Sequence, residues 1–112
     1  MQRETAKTHL LEVITTNQKA DKCFLCGRNR HAGLEAHHIF GASNRKKSDK
    51  YGLVVTLCAD CHRLADHAVH RDAETMQYLH EYGQRKAMQE QGWTVRQFAE
   101  VFGKNYLEEE QL

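Results

Sequence analysis

A chain of 112 residues with a formal net charge of +1 has the length of one domain, 1–112, and a core that leaves a thin margin of stability. No apolar run approaches the roughly 20 residues that span a bilayer, and the N-terminus carries no signal-peptide pattern. These features speak against membrane and secreted classes and lead us to expect a soluble, cytoplasmic protein.

From about Glu4 to Thr16, Leu10, Leu11, Val13 and Ile14 stand among charged neighbours, the pattern of an amphipathic helix. We assign it to an N-terminal segment, 1–18, docked on a core of residues 19–71. Asn17 to Lys22 is polar and reads as a loop. Cys23-x-x-Cys26 follows, with Gly27 placed to release the turn of a metal knuckle. Leu34 to Phe40 is predicted as a short strand and Gly41 to Lys50 as a polar, basic loop. Tyr51 to Leu57 holds the β-branched run Val54-Val55-Thr56 and is predicted as a second strand. Cys58 to about His67 is predicted as a helix that begins at the second cysteine pair, Cys58-x-x-Cys61.

Residues 72–112 read as C-terminal helices. Asp72 caps a helix from Ala73 to Gln91, with Met76, Leu79, Tyr82 and Met88 as its apolar stripe and Gly92 as its stop. Thr94 and Gln97 form a capping-box pattern for a last helix whose Phe98, Val101 and Phe102 face inward, and Gly103 ends it. The chain has no proline and no repeats. The expected class is α+β.

In a reducing compartment, two Cys-x-x-Cys pairs point to a metal rather than to disulfides. Each pair can grip one edge of a tetrahedral Zn²⁺, and Cys23, Cys26, Cys58 and Cys61 together close a structural site. The competing reading is a secreted disulfide framework or four buried thiols.

Net charge does not announce a nucleic-acid protein; its distribution says more. Arg28, Arg30, Arg45, Lys46, Lys47 and Lys50 lie between the cysteine pairs, opposed there only by Glu35 and Asp49. Such a basic face suits phosphate contact, for which Arg45, Lys46, Lys47 and Lys50 are the candidates; a solvated loop is the plain alternative.

Between the cysteine pairs stand His37 and His38, and His62 follows the second pair directly. Pairing the knuckles draws these histidines together as a second site with open coordination positions. Phosphodiester hydrolysis needs what such a site offers. Water must lose a proton, a task suited to histidine, and a divalent ion can act as Lewis acid on the phosphate and the leaving oxygen.

The run Cys23-x-x-Cys26, Leu34-Glu35-Ala36-His37-His38-Ile39 and Leu57-Cys58-x-x-Cys61-His62 resembles the HNH endonuclease family and its accessory zinc site. The resemblance covers about Cys23 to His70. It implies a ββα-metal, treble-clef-like core with flanking helices, a DNA substrate, and Mg²⁺ or Mn²⁺ as the catalytic ion. By motif, His37 and His62 are ligands of that ion and His38 is the general base. His38-Ile39-Phe40-Gly41, Asn44-Arg45-Lys46-Lys47-Ser48, Lys50-Tyr51-Gly52-Leu53, Glu81-Tyr82-Gly83-Gln84-Arg85 and Gly103-Lys104-Asn105-Tyr106-Leu107 are similar to the phage Ref-like nucleases. That likeness implies a phage-derived enzyme of recombination or repair that acts with a RecA filament.

The pattern departs from the family at one place. Gly52 stands where the middle Asn of the motif is expected. Asn44, earlier in the loop, is the candidate to supply the amide, and a turn residue is its other reading. Adjacent strand residues face opposite ways, so His37 and His38 share a site only if the strand ends or bulges near Gly41. For a further ligand His70 is the first choice and Asp66, one helical turn beyond His62, the second; His67 competes. His9, His31 and His80 read as surface residues. An inactive zinc-binding nucleic-acid module and a protein-interaction adaptor are the rival functions.

Overall fold

In a computed structural model the protein is described over residues 22–28 and 33–108. The helix expected within residues 1–18, together with His9, Arg30 and His31, lies outside the described residues. What is described is a small α+β fold built on two antiparallel strands, β1 (Leu34–His38) and β2 (Val54–Cys58). The register pairs Leu34 with Cys58 and His38 with Val54. All five residues of β2 are buried, which explains its unbroken β-branched run: a strand covered on both faces has no polar side to alternate with.

β1 ends at His38, two residues before the expected limit, although the chain stays against β2 through a 2.9 Å bond from the Ile39 amide to the Leu53 carbonyl. The stretch expected to be a polar loop contains a 3₁₀ turn, Ala42–Asn44, and a helix, α1 (Arg45–Lys50). Six polar residues lack the apolar periodicity that announces a helix. Tertiary anchors hold this one. The buried Ser48 hydroxyl accepts from the Phe40 amide at 3.0 Å and donates to the Phe40 carbonyl at 2.7 Å. The Asn44 amide donates to the Phe102 carbonyl, and the Lys47 ammonium to that of Val101. Gly52 turns the chain into β2 at φ +71°, a conformation that suits glycine, so the strand begins at Val54 rather than Tyr51.

The helix expected from Cys58 to His67 is instead a π-helical segment, Asp60–Leu64, that stops when Ala65 adopts an extended conformation. Backbone bonds from Val69 to Cys61 (2.8 Å) and from His70 to His62 (3.2 Å) then fold residues 68–70 back beside the second knuckle.

α2 (Ala73–Gln91) starts where the Asp72 carboxylate accepts from the Thr75 amide at 3.0 Å and stops at Gly92, as expected. α3 (Val95–Phe102) carries the complete Thr94–Gln97 capping box and stops at Gly103. Gly83 lets α2 lie directly on the end of β1, since a Cβ there would come within 2.7 Å of Ile39 Cγ2 and 2.9 Å of Phe40 Cε2. Around that contact Phe40, Phe98, Leu53, Leu57 and Leu79 form the buried core. Each full burial of this kind contributes about 1.5–3 kcal/mol. Among the described residues no helix is long and apolar enough to cross a membrane.

Candidate functional site

Two clusters of metal-ligating side chains flank β1 and β2. In the first, the sulfurs of Cys23, Cys26, Cys58 and Cys61 all lie within 4.8 Å of one another. Gly27, at φ +75°, closes the first knuckle by bonding its amide to the Cys23 carbonyl at 2.8 Å. The Phe24 amide staples that knuckle to Thr56 of β2 at 2.8 Å. Cys58 is the last residue of β2, and Cys61 sits in the π-helical segment. In both pairs the amide of the second cysteine points at the sulfur of the first, at 3.5 Å.

The donor set fits zinc. Cys26 and Cys58 sulfurs are 3.9 Å apart, against an edge of about 3.8 Å for a tetrahedron with Zn–S near 2.3 Å, and well beyond a disulfide of about 2.05 Å. Protonation chemistry agrees. Burial and the neighbouring thiols push the Cys61 thiol far up, whereas Cys23 is brought down to about 7 because backbone amide contacts outweigh the opposing effect of burial. Four sulfurs so close cannot all ionise without a cation to take up their charge. The four cysteines are thus close enough to hold zinc.

In the second cluster, ring nitrogens of His37, His62 and His70 lie within 4.8 Å of one another. His37 comes from β1, His62 from the π-helical segment and His70 from the folded-back stretch. The Nε2 atoms of His62 and His70 are 3.1 Å apart. His37 is only 4% exposed, and its Nε2 is buried without a hydrogen-bond partner. An orphaned polar atom in this position costs about 1–3 kcal/mol, a cost that a ligand to that nitrogen removes. Burial, with the neighbouring His62 and His70, holds the His37 imidazole down at about 3, and burial and His62 lower His70. Neutral imidazoles are the form that binds metals.

Glu35 orders this cluster, and sequence reasoning gave it no role. It sits two residues before His37 on the same face of β1. Its carboxylate accepts from His62 Nδ1 at 2.6 Å and from Arg63 Nη2 at 2.8 Å. The Arg63 and His62 contacts pull the Glu35 carboxyl down to about 2. With Nδ1 donating to Glu35, the lone pair of His62 Nε2 is directed into the cluster, the arrangement by which carboxylates orient metal-binding histidines. The available signal was the Glu-x-His alternation on one strand face.

His38 takes the other side of β1. Its Nε2 is 2.8 Å from the Asp49 carboxylate on α1. His37, His38, Asn44, His70, His80 and Tyr106 all line one cavity of about 290 Å³, so the end of β1 at His38 lets adjacent histidines reach a common space.

The remaining expectations divide. His70 joins the cluster and Asp66 does not: its side chain is fully exposed and pairs with Arg71 at 3.5 Å. The reason is the early end of the π-helical segment, which cancels the one-turn relation to His62. His67 sits by the cysteines, its Nε2 3.4 Å from the Cys61 sulfur. Asn44 borders the cavity, but its amide nitrogen is held by Phe102. Of the basic candidates, Lys47 is tied to Val101 and Lys50 lies over the Tyr51 ring at 5.3 Å, while Arg45 and Lys46 are exposed on α1. His80 is no surface residue. It is half-buried with its ring stacked 5.2 Å from that of Phe40, and burial lowers its basicity.

Compared with protein-family models, with curated proteins and with solved structures, the chain matches none.

Proposed function

We propose that this protein is a metal-dependent DNA endonuclease of the HNH type, its strands, second knuckle and zinc site forming a ββα-metal core. The observation that carries the proposal is the convergence of His37, His62 and His70, whose ring nitrogens lie within 4.8 Å of one another, together with a buried His37 Nε2 that has no hydrogen-bond partner. A pure binding module has no need of three converging imidazoles, one of them buried, beside a fourth that keeps a nitrogen free. The HNH reading of the motifs assigns His37 and His62 as ligands and His38 as base, and the clustering of His70 with the first two makes it the third ligand.

A divalent ion held by the three histidines would supply Lewis acidity to the scissile phosphate and to the departing oxygen. His38 accepts a proton from water through its ring nitrogen as the water oxygen bonds to phosphorus. The bond from phosphorus to the 3′ oxygen breaks, and that oxygen takes a proton from solvent, leaving a 5′-phosphate and a 3′-hydroxyl. Arg45 and Lys46 supply phosphate contact from α1, the helix whose Asp49 touches His38. Three imidazole donors suit a transition metal such as Zn²⁺ or Ni²⁺ better than Mg²⁺, and the cleavage experiment tests Zn²⁺ and Ni²⁺ alongside Mg²⁺ and Mn²⁺. Partnership with a RecA filament, and a place in phage recombination, rest on the resemblance of motifs alone.

One observation favours a second reading, a zinc-binding nucleic-acid module without catalysis: Gly52, with no side chain, stands at the place of the motif's Asn. Incubation of plasmid and single-stranded DNA with each ion, with and without RecA filaments, decides between them. Ion-dependent cleavage to 5′-phosphate ends supports the nuclease. Salt-sensitive binding without cleavage under every condition supports the module.

A further inference from the structure

We propose that Asp49 is the positioning residue for His38, fixing which ring nitrogen is free to take the proton. The inference rests on the nuclease reading and goes beyond it, since nothing in the motifs gives the residue at this position a role.

The geometry begins with how Asp49 is delivered. It follows Ser48, the buried residue that clamps α1 to both backbone groups of Phe40. The Ser48 carbonyl also accepts from the Leu53 amide at 2.7 Å, and the Asp49 carbonyl from the Gly52 amide at 3.3 Å. Both sides of Asp49 are therefore fixed to the core, one at the end of β1 and one at the start of β2. From that backbone its Oδ1 reaches His38 Nε2 at 2.8 Å. His38 lies two residues from Phe40, so a single clamp sets the spacing of the pair.

A carboxylate only accepts hydrogen bonds. The nitrogen facing it is therefore the protonated one, and Nδ1 of His38 is left with its lone pair. Charge-assisted contacts of this length are the stronger kind, enough to select one tautomer from two that otherwise compete. His38 lines the same cavity as His37 and His70, the space in which water and phosphate would meet. Asp49 itself lines no part of it, and its side chain is 63% exposed. It acts through His38 rather than on the substrate.

Charge gives this assignment a distinctive test. Asp49 stands among Arg45, Lys46, Lys47 and Lys50 on α1, so removing its negative charge should by itself strengthen DNA binding. A residue that only tunes the surface field would then raise activity when removed. A positioning residue lowers it.

The experiment compares wild type, Asp49→Ala, Asp49→Glu and His38→Ala, each with its zinc content checked, in steady-state cleavage of DNA. Asp49→Ala should lose about 10-fold or more in kcat with KM unchanged or lower, and Asp49→Glu should recover part of it. Nitrogen-15 spectra of the histidine side chains should show His38 as the Nε2–H tautomer in the wild type and as a mixture in Asp49→Ala. A kcat that is unchanged or raised in Asp49→Ala, while His38→Ala abolishes cleavage, overturns the role of Asp49 and leaves the nuclease reading standing. A wild type that cuts no DNA with any ion overturns the nuclease reading and this assignment together.

Discussion

His62 donates its Nδ1 proton to Glu35 across 2.6 Å, and the opposite nitrogen of the same ring comes within 3.1 Å of His70. One strand carboxylate thus sets the orientation of a histidine 27 residues later in the chain. Removing such a partner weakens metal binding by about 10- to 100-fold in comparable sites. Glu35→Gln is expected to do the same at the histidine cluster while leaving zinc at the cysteines, a difference that titration of the zinc-loaded protein with a second ion would read directly. Equal affinity in both proteins would mean that His62 is oriented by packing alone.

His37 exposes a trade between stability and function. Leu in its place removes the buried, unpaired Nε2, so with the histidine cluster metal-free His37→Leu should be more stable than wild type, by roughly 1 kcal/mol or more, and should fail to bind the second ion. Denaturant melts with and without added metal test both halves.

The same residue predicts a pH effect of definite sign. Its folded value, about 3, lies below the ordinary 6.5 because burial disfavours the charged ring. The unfolded chain therefore takes up the proton first. Stability should be full above about pH 6.5 and fall as pH drops toward 3, by up to about 1.4 kcal/mol per unit. His37→Leu should lose that part of the slope. An identical pH dependence in the two proteins would contradict the assignment.

Zinc removal should unfold more than a loop. The cysteine cluster joins the first knuckle, the end of β2 and the π-helical segment, and that segment also carries His62. Chelation, or Cys58→Ser, should therefore cost helical and tertiary signal together and abolish binding of the second ion. Circular dichroism during chelation would show it; a fold that persists with the cysteines stripped would refute the structural role.

On α1 neighbouring cations should behave differently. Arg45→Ala and Lys46→Ala should each reduce the salt dependence of DNA binding by about one unit of slope without changing stability. Lys47→Ala should lower stability, because its ammonium holds the end of α3 through Val101. Binding isotherms at several salt concentrations, paired with thermal melts, separate the two classes.

Much of this was legible in local sequence. Asp72, Gly92, the Thr94–Gln97 box and Gly103 mark helix ends through bonds that span three or four residues, so a reader of the chain sees both partners at once. Each cysteine pair is local in the same way, although the two pairs meet across 32 residues of chain. What stayed hidden was held from a distance. α1 has no periodicity, and its anchors at Phe102 and Val101 are 58 and 54 residues away. A helix of 3.6 residues per turn would bring Asp66 beside His62, but the chain forms a π-helical segment that ends at Leu64. Glu35 and Asp49 looked like stray acids in a basic stretch; only the folded chain brings each to its histidine.

The most direct test of the central claim is single-turnover DNA cleavage by wild type and His38→Ala, both carrying zinc at the cysteines, with and without an added divalent ion. The wild type should cut only when the ion is present, and the variant should be slower by about 100- to 10,000-fold. Equal rates in the two proteins, or no cutting by either with any ion, would contradict the claim.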